Sequence, residues 1–169
     1  MVEVMQGEKV IGYKKIDDLF TNLRLDKYKI TTSVMAGNIE LDASGKTLAI
    51  VPCNILKPYQ VPKGSFPVLK YFDNLEECTS FRSYYSTRCV AFLFLFGACG
   101  STLTKEFFRF VPDPNDWTCT YVDAPHPNVV PDAKGYYELA GKRYCSLYAR
   151  YKLTDDDIKI IESVIKERK

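Results

Sequence analysis

One histidine, one tryptophan and no closely spaced pair of cysteines leave this 169-residue chain short of the parts that protein chemistry most often uses. A zinc site draws on thiolates or imidazoles in short-spaced pairs. The six cysteines, at 53, 78, 89, 99, 119 and 145, contain no C-x-x-C, so no metal ligand set is expected. Charge of one sign is also missing: 23 basic against 21 acidic residues leave a formal charge of +2. Without a global field, any polyanion must be met by a local patch. No apolar run approaches the ~20 residues of a membrane-crossing helix, the longest lying between Cys89 and Cys99. The opening "MVEVMQGEKVIGYKK" lacks the apolar core of a signal peptide, and no N-x-[ST] sequon occurs. These absences predict an intracellular protein, neither secreted nor transmembrane, whose cysteines are reduced and mostly buried.

What is present is apolar and aromatic material, 46% hydrophobic with twelve Tyr and ten Phe, in a chain long enough for one domain over 1–169. "IDDLFTNLRL" (16–25) has helical spacing. "KYKITTSVMAGNIELDASGKTLAIVP" reads as two or three antiparallel strands broken by turns, and four prolines make "PCNILKPYQVPKGSFP" an extended loop. Leu69, Phe72, Leu75, Cys78, Phe81 and Tyr85 trace a helical stripe, with Asp73 as candidate cap. "CVAFLFLF" is apolar on both faces and predicts a central strand, followed by strands in "KEFFRFVP" and "DWTCTYV". After a second proline loop, "YYELAGKRYCSLYARYKL" predicts a hairpin turning at Gly141-Lys142, alternation carrying Cys145, Leu147, Ala149, Tyr151 and Leu153 onto one face. Thr154 with Asp157 makes a capping-box start for a C-terminal helix packing through Ile158, Ile161, Val164 and Ile165. The sum is an α+β domain, a mostly antiparallel sheet packed with two or three helices including the C-terminal one.

Each chemical motif is incomplete. "GACGS" around Cys99 resembles the nucleophile turn of viral chymotrypsin-like cysteine proteases, but that family's histidine lies upstream, and His126 lies downstream. A papain-like order would set them 27 positions apart, where that family has upwards of about a hundred. His126 has Asp123 and Asp132 as candidate orienting partners and no nucleophile beside it in sequence. "ASGKT" is a truncated phosphate loop with Glu40 where the first glycine belongs, and it reads as a turn. Adjacent acid pairs suit helix starts rather than acid–base work. No catalytic residue and no cofactor is therefore expected.

Two surfaces remain. Lys14, Lys15, Lys57, Lys63, Lys142, Arg143, Lys166, Arg168 and Lys169, several beside tyrosines, are candidates for a polyanion: RNA, nucleoprotein or an anionic membrane. Phe92, Phe94 and Phe96 are candidates for self-association, since an uncharged β-prone run is a hazard unless something covers it.

Two segments, "KITTSVMAGNIELDASGKTLAIVPCNILKPYQVP" and "GKRYCSLYARYKLTDDDIKIIESVI", about a third of the chain, resemble in pattern the small matrix proteins of negative-strand RNA viruses, of the bornavirus and plant-rhabdovirus types. That resemblance implies a single α+β domain that self-associates, coats the inner face of an envelope and touches ribonucleoprotein, in host cytoplasm or virion. The sequence reading is thus a non-enzymatic, matrix-like structural protein that binds itself and takes no small-molecule substrate. The alternatives are a cysteine hydrolase using Cys99 and a monomeric RNA- or protein-binding module.

Overall fold

A computed structural model describes residues 1–19, 23–32, 41–47, 49, 53–64, 67–97 and 105–167. In chain order its strands are β1 (Val2–Gln6), β2 (Lys9–Lys14), β3 (Tyr28–Thr31), β4 (Asn54–Leu56), β5 (Gln60–Pro62), β6 (Val68–Phe72), β7 (Thr120–Val122), β8 (Tyr136–Leu139) and β9 (Lys142–Ser146). The helices are α1 (Leu75–Tyr85), α2 (Arg88–Gly97), α3 (Leu147–Arg150) and α4 (Asp155–Val164). The layout is α+β with mostly antiparallel pairing and a C-terminal helix. The strands form three small sheets, β2-β1-β5, β4-β3-β6 and β7-β9-β8, rather than one.

Local chemistry accounts for the departures from the sequence reading. Prolines predict a loop over 52–67, yet β4 and β5 are drawn from it. Both are three-residue edge strands, where a missing N–H costs no ladder bond. The helical stripe beginning at Leu69 is first strand β6 and becomes helix only at Leu75. Asn74 rather than Asp73 caps α1, its Oδ1 accepting the Glu77 N–H at 2.9 Å, while Asp73 pairs with Lys27. In the described part of "IDDLFTNLRL", Ile16–Asp18 form a 3-10 turn and Leu19 is already extended, while 20–22 of the expected helix lie outside the described residues. "KEFFRFVP" is also a 3-10 turn, Lys105–Phe108, instead of a strand.

The largest correction concerns "CVAFLFLF", which is helix α2 and not a central strand. Val90 is the only β-branched residue in its ten, and Phe, Leu and Ala all tolerate a helix. Its amino end is fully satisfied. Thr87 Oγ1 accepts the Val90 N–H at 3.2 Å and Thr87 O accepts Ala91 N–H at 3.1 Å. Asp123, from the loop after β7, accepts the Arg88 and Cys89 N–H groups at 2.8 and 2.9 Å. A helix apolar nearly all round must be buried. α2 packs between α4 and the 3-10 turn at 105–108, with the Phe94 and Phe107 rings 4.9 Å apart. Gly97 permits that contact, since a Cβ there would lie 2.2 Å from Glu106 O.

The C-terminal half follows the sequence reading more closely. β8 and β9 form the expected hairpin, turning at Ala140–Gly141, one residue earlier than predicted, with β7 added in parallel on the far side of β9. Alternation ends at Ser146, whose side chain caps the short α3, so Leu147 to Leu153 are not strand. Thr154 and Asp157 form the predicted capping box of α4. Ile161 and Ile165 are buried in the core. "DASGK" is a turn closed by Asp42, whose Oδ1 accepts the Ser44 and Lys46 N–H groups at 2.9 and 3.0 Å. Beyond it Thr47 bridges Ile165. The free edge of β7 lies under α1, where Ser83 Oγ accepts the Tyr121 N–H at 2.9 Å.

Candidate functional site

The basic residues singled out in the sequence do not form one patch. Lys14, Lys15, Lys57 and Lys63 lie on or near the first two sheets, Lys63 donating to Gln6 Oε1 at 3.3 Å. Lys166 pairs with Asp42 beside the end of α4, and Arg168 and Lys169 lie outside the described residues. Lys142 and Arg143 are neighbours on β9, so they project to opposite faces of the third sheet. Among the described ones, Lys14 borders a mostly apolar concavity beside the first sheet, and Arg143 reaches a charged cleft.

That cleft, about 700 Å³ in volume, is lined by Asp116, Asp132, Lys134, Tyr136, Arg143 and Arg150. Three cations face two carboxylates. Register explains the arrangement, because Tyr136 pairs with Cys145 and Glu138 with Arg143, placing Tyr136 and Arg143 on one face. The Arg143 guanidinium lies 4.1 Å from the Tyr136 ring centroid and donates to Asp116 Oδ2 at 3.1 Å and Thr118 Oγ1 at 2.6 Å. Tyr136 donates from its hydroxyl to Asp116 Oδ2 at 2.7 Å and accepts from Arg150 Nη1 at 3.1 Å. Burial pushes the Asp116 carboxyl up, but hydrogen bonds from Thr118 and Tyr136 and the Arg143 charge outweigh it and set it down to about 2. Asp132 is spent on its own turn, accepting the Lys134 and Tyr136 N–H groups at 2.8 and 2.9 Å. Among the described residues neither Lys134 nor Arg150 has an ion-pair partner.

Gly135 brings the Lys134 loop against α3. Its φ is +85°, and a Cβ would lie 2.6 Å from Ser146 O and 2.9 Å from the Arg150 Cβ. Beneath the cleft, Cys145 Sγ accepts from Arg150 Nη1 at 3.9 Å. A hydrogen bond from Cys119 holds the Cys145 thiol down to about 7 against burial, with help from Arg150, while the same contact pushes Cys119 up. Both sulfurs are buried and free. Cys145 has no exposed surface, so its place is to support Arg150 rather than to attack a ligand.

A second concavity, about 590 Å³, runs between α2 and α4. Phe92, Leu93, Phe110, Leu153, Ile160 and Ile161 make it apolar, with Arg109 and Asp157 contributed by different elements. The three phenylalanines singled out in α2 divide here. Phe94 is 1% exposed and belongs to the core, so it faces no partner. Phe92 and Phe96 meet edge to face at 5.2 Å, and Phe96 meets Phe110 at 6.3 Å, forming an aromatic ridge beside the groove. Phe96 is 63% exposed, Phe110 48% and Ile160 53%.

Cys99 lies outside the described residues. His126 is exposed, its Nδ1 accepting the Asn128 N–H at 3.3 Å. Neither proposed orienting carboxylate reaches for it: Asp123 caps α2 and Asp132 closes its own turn. Among the described residues no group of three or more His, Cys, Asp or Glu side chains could hold a metal ion, and no helix is long and apolar enough to cross a membrane.

The sequence reading named Arg143 but missed Lys134, Tyr136, Arg150 and Asp116. The one legible signal was parity on β9, which separates Arg143 from Lys142. Arg150 enters only because the chain turns helical after Ser146. Comparison of the chain with protein-family models, curated proteins and solved structures finds no match.

Proposed function

We propose that this chain is a non-enzymatic structural protein that self-associates through the α2–α4 face, in the manner of a matrix protein. One observation carries the reading: an open apolar groove lies beside the projecting Phe96 ring, which packs on Phe92 and Phe110 of the groove wall to form a ridge along its rim. A ridge beside a groove is self-complementary under a two-fold axis, each copy's ridge entering the other's groove. The rim charges favour the same occupant. Arg109, without an ion-pair partner among the described residues, and Asp157 carry opposite charges, so a second copy turned by 180° sets unlike charges together. Exposed aromatic rings at a concave apolar centre are the usual anchors of such contacts.

The non-enzymatic part is supported by the commitments of Asp123 and Asp132, neither of which orients His126 among the described residues. Contact with an anionic membrane and with ribonucleoprotein draws its support from the two matrix-like segments.

Sedimentation velocity over a wide concentration range tests the reading. The expected result is a sedimentation coefficient that rises with concentration and ceases to rise in Phe96→Asp. A chain that stays monomeric at every concentration overturns it.

A further inference from the structure

We propose that the cleft over the third sheet is a binding site for a phosphate group, with Lys134, Arg143 and Arg150 as its ligands. The proposal is independent of self-association, which uses other residues. Three features carry it. First, cationic groups converge from three elements: the loop before β8, strand β9 and helix α3. Second, neither Lys134 nor Arg150 has an ion-pair partner among the described residues, so three cations outnumber the Asp116 and Asp132 carboxylates, and Arg150 donates only to the uncharged Tyr136 hydroxyl and to Cys145 Sγ. Third, the cluster is rigid before any ligand arrives. Tyr136 lies against the Arg143 guanidinium at 4.1 Å and accepts from Arg150 at 3.1 Å. Gly135 fixes the loop against α3 at a distance no side chain would allow.

The geometry selects the anion. A planar carboxylate is satisfied by one guanidinium fork, whereas Asp116 takes a single bond from Arg143 Nη1 and leaves the other guanidinium donors to a ligand. Donors arriving from three directions suit a tetrahedral dianion. Cys145 Sγ behind Arg150 and the Thr118 hydroxyl beside Arg143 hold the two guanidinium groups in place. A small ester and an RNA backbone both present such a phosphate, and the experiment separates the two.

The full chain, labelled with ¹⁵N, is titrated at low salt with inorganic phosphate and, separately, with a short oligouridylate. The expected result is that the Arg143 and Arg150 side-chain signals and the amides of 134–136 shift first and saturably. Tighter binding of the oligouridylate, falling steeply with salt, assigns the site to RNA phosphates. Saturation by inorganic phosphate while oligouridylate leaves those signals unmoved assigns it to a small ester. Arg150→Gln weakens binding about tenfold. Because Arg150 also supports Tyr136, the exposed Lys134→Ala keeps the test clear of folding effects: it lowers affinity and reduces the salt slope by about one. Lys9→Ala, on the distant strand β2, leaves both unchanged. If neither probe moves the 134–150 signals at millimolar concentration, or Lys134→Ala binds as the parent does, the site is refuted.

Discussion

Asp123 accepts the Cys89 N–H through Oδ1 at 2.9 Å, and with its other oxygen the Arg88 N–H at 2.8 Å, so a loop beyond β7 closes the amino end of a helix 34 residues earlier in the chain. Burial pushes this carboxyl upward, opposed by those two donors. The third sheet is thereby tied to the helix that bears the proposed contact face. Asp123→Ala strips two acceptors from α2 and is expected to cost about 2 kcal/mol, Asp123→Asn about half as much. Urea unfolding of the two variants checks this, and a loss no larger than that of a surface substitution would contradict it.

Gly135→Ala forces a Cβ against Ser146 O and strains a φ of +85°. A loss on the order of 3 kcal/mol is expected, together with displaced signals for Tyr136 and Arg150. Gly12→Ala, where a Cβ meets nothing within 4 Å, is the comparison and should lie within about 0.5 kcal/mol of the parent. Thermal and urea midpoints measure both.

Asp116 sets an acid limit on the cleft. Its folded value is about 2 against an ordinary 3.8, so as pH falls the unfolded chain takes up the proton first. The stability this carboxylate contributes is therefore complete above about pH 4 and is lost as pH falls to about 2. Unfolding midpoints measured through that window should decline less steeply in Asp116→Asn than in the parent.

Lys29 acts at the opposite end of the scale. It is wholly buried, its ammonium donating to Lys27 O at 2.7 Å, and burial lowers it from 10.5 to about 8. Between those values the unfolded chain holds more protons, so stability rises with pH from about 8 to about 10.5. Lys29→Met should flatten that rise, and identical pH profiles for the two proteins would contradict the assignment.

The sequence disclosed its carboxyl end better than the rest, and the β1–β2 hairpin at the amino end went unread. Thr154 and Asp157 define their helix because a capping box is a local device, complete within four residues. The β8–β9 hairpin was legible for the same reason, its turn residues lying beside the strands they join. Helix α2 was not. A short run apolar on both faces fits a buried strand or a buried helix equally by periodicity. Thr87, two residues before the run, was the available cap signal. The stronger one, Asp123, lies far along the chain and becomes visible only in three dimensions. The same distance hid the cleft. Composition shows the basic residues, but only strand parity and the turn into α3 sort Arg143 and Arg150 from the rest.

Isotope-filtered NOE spectroscopy on a mixture of labelled and unlabelled chains tests the contact face most directly. The account predicts intermolecular cross-peaks from the Phe96 and Phe110 rings of one copy to the Ile160 methyls of the other. A concentrated sample with no such cross-peaks, or with all of them arising elsewhere on the surface, would contradict it.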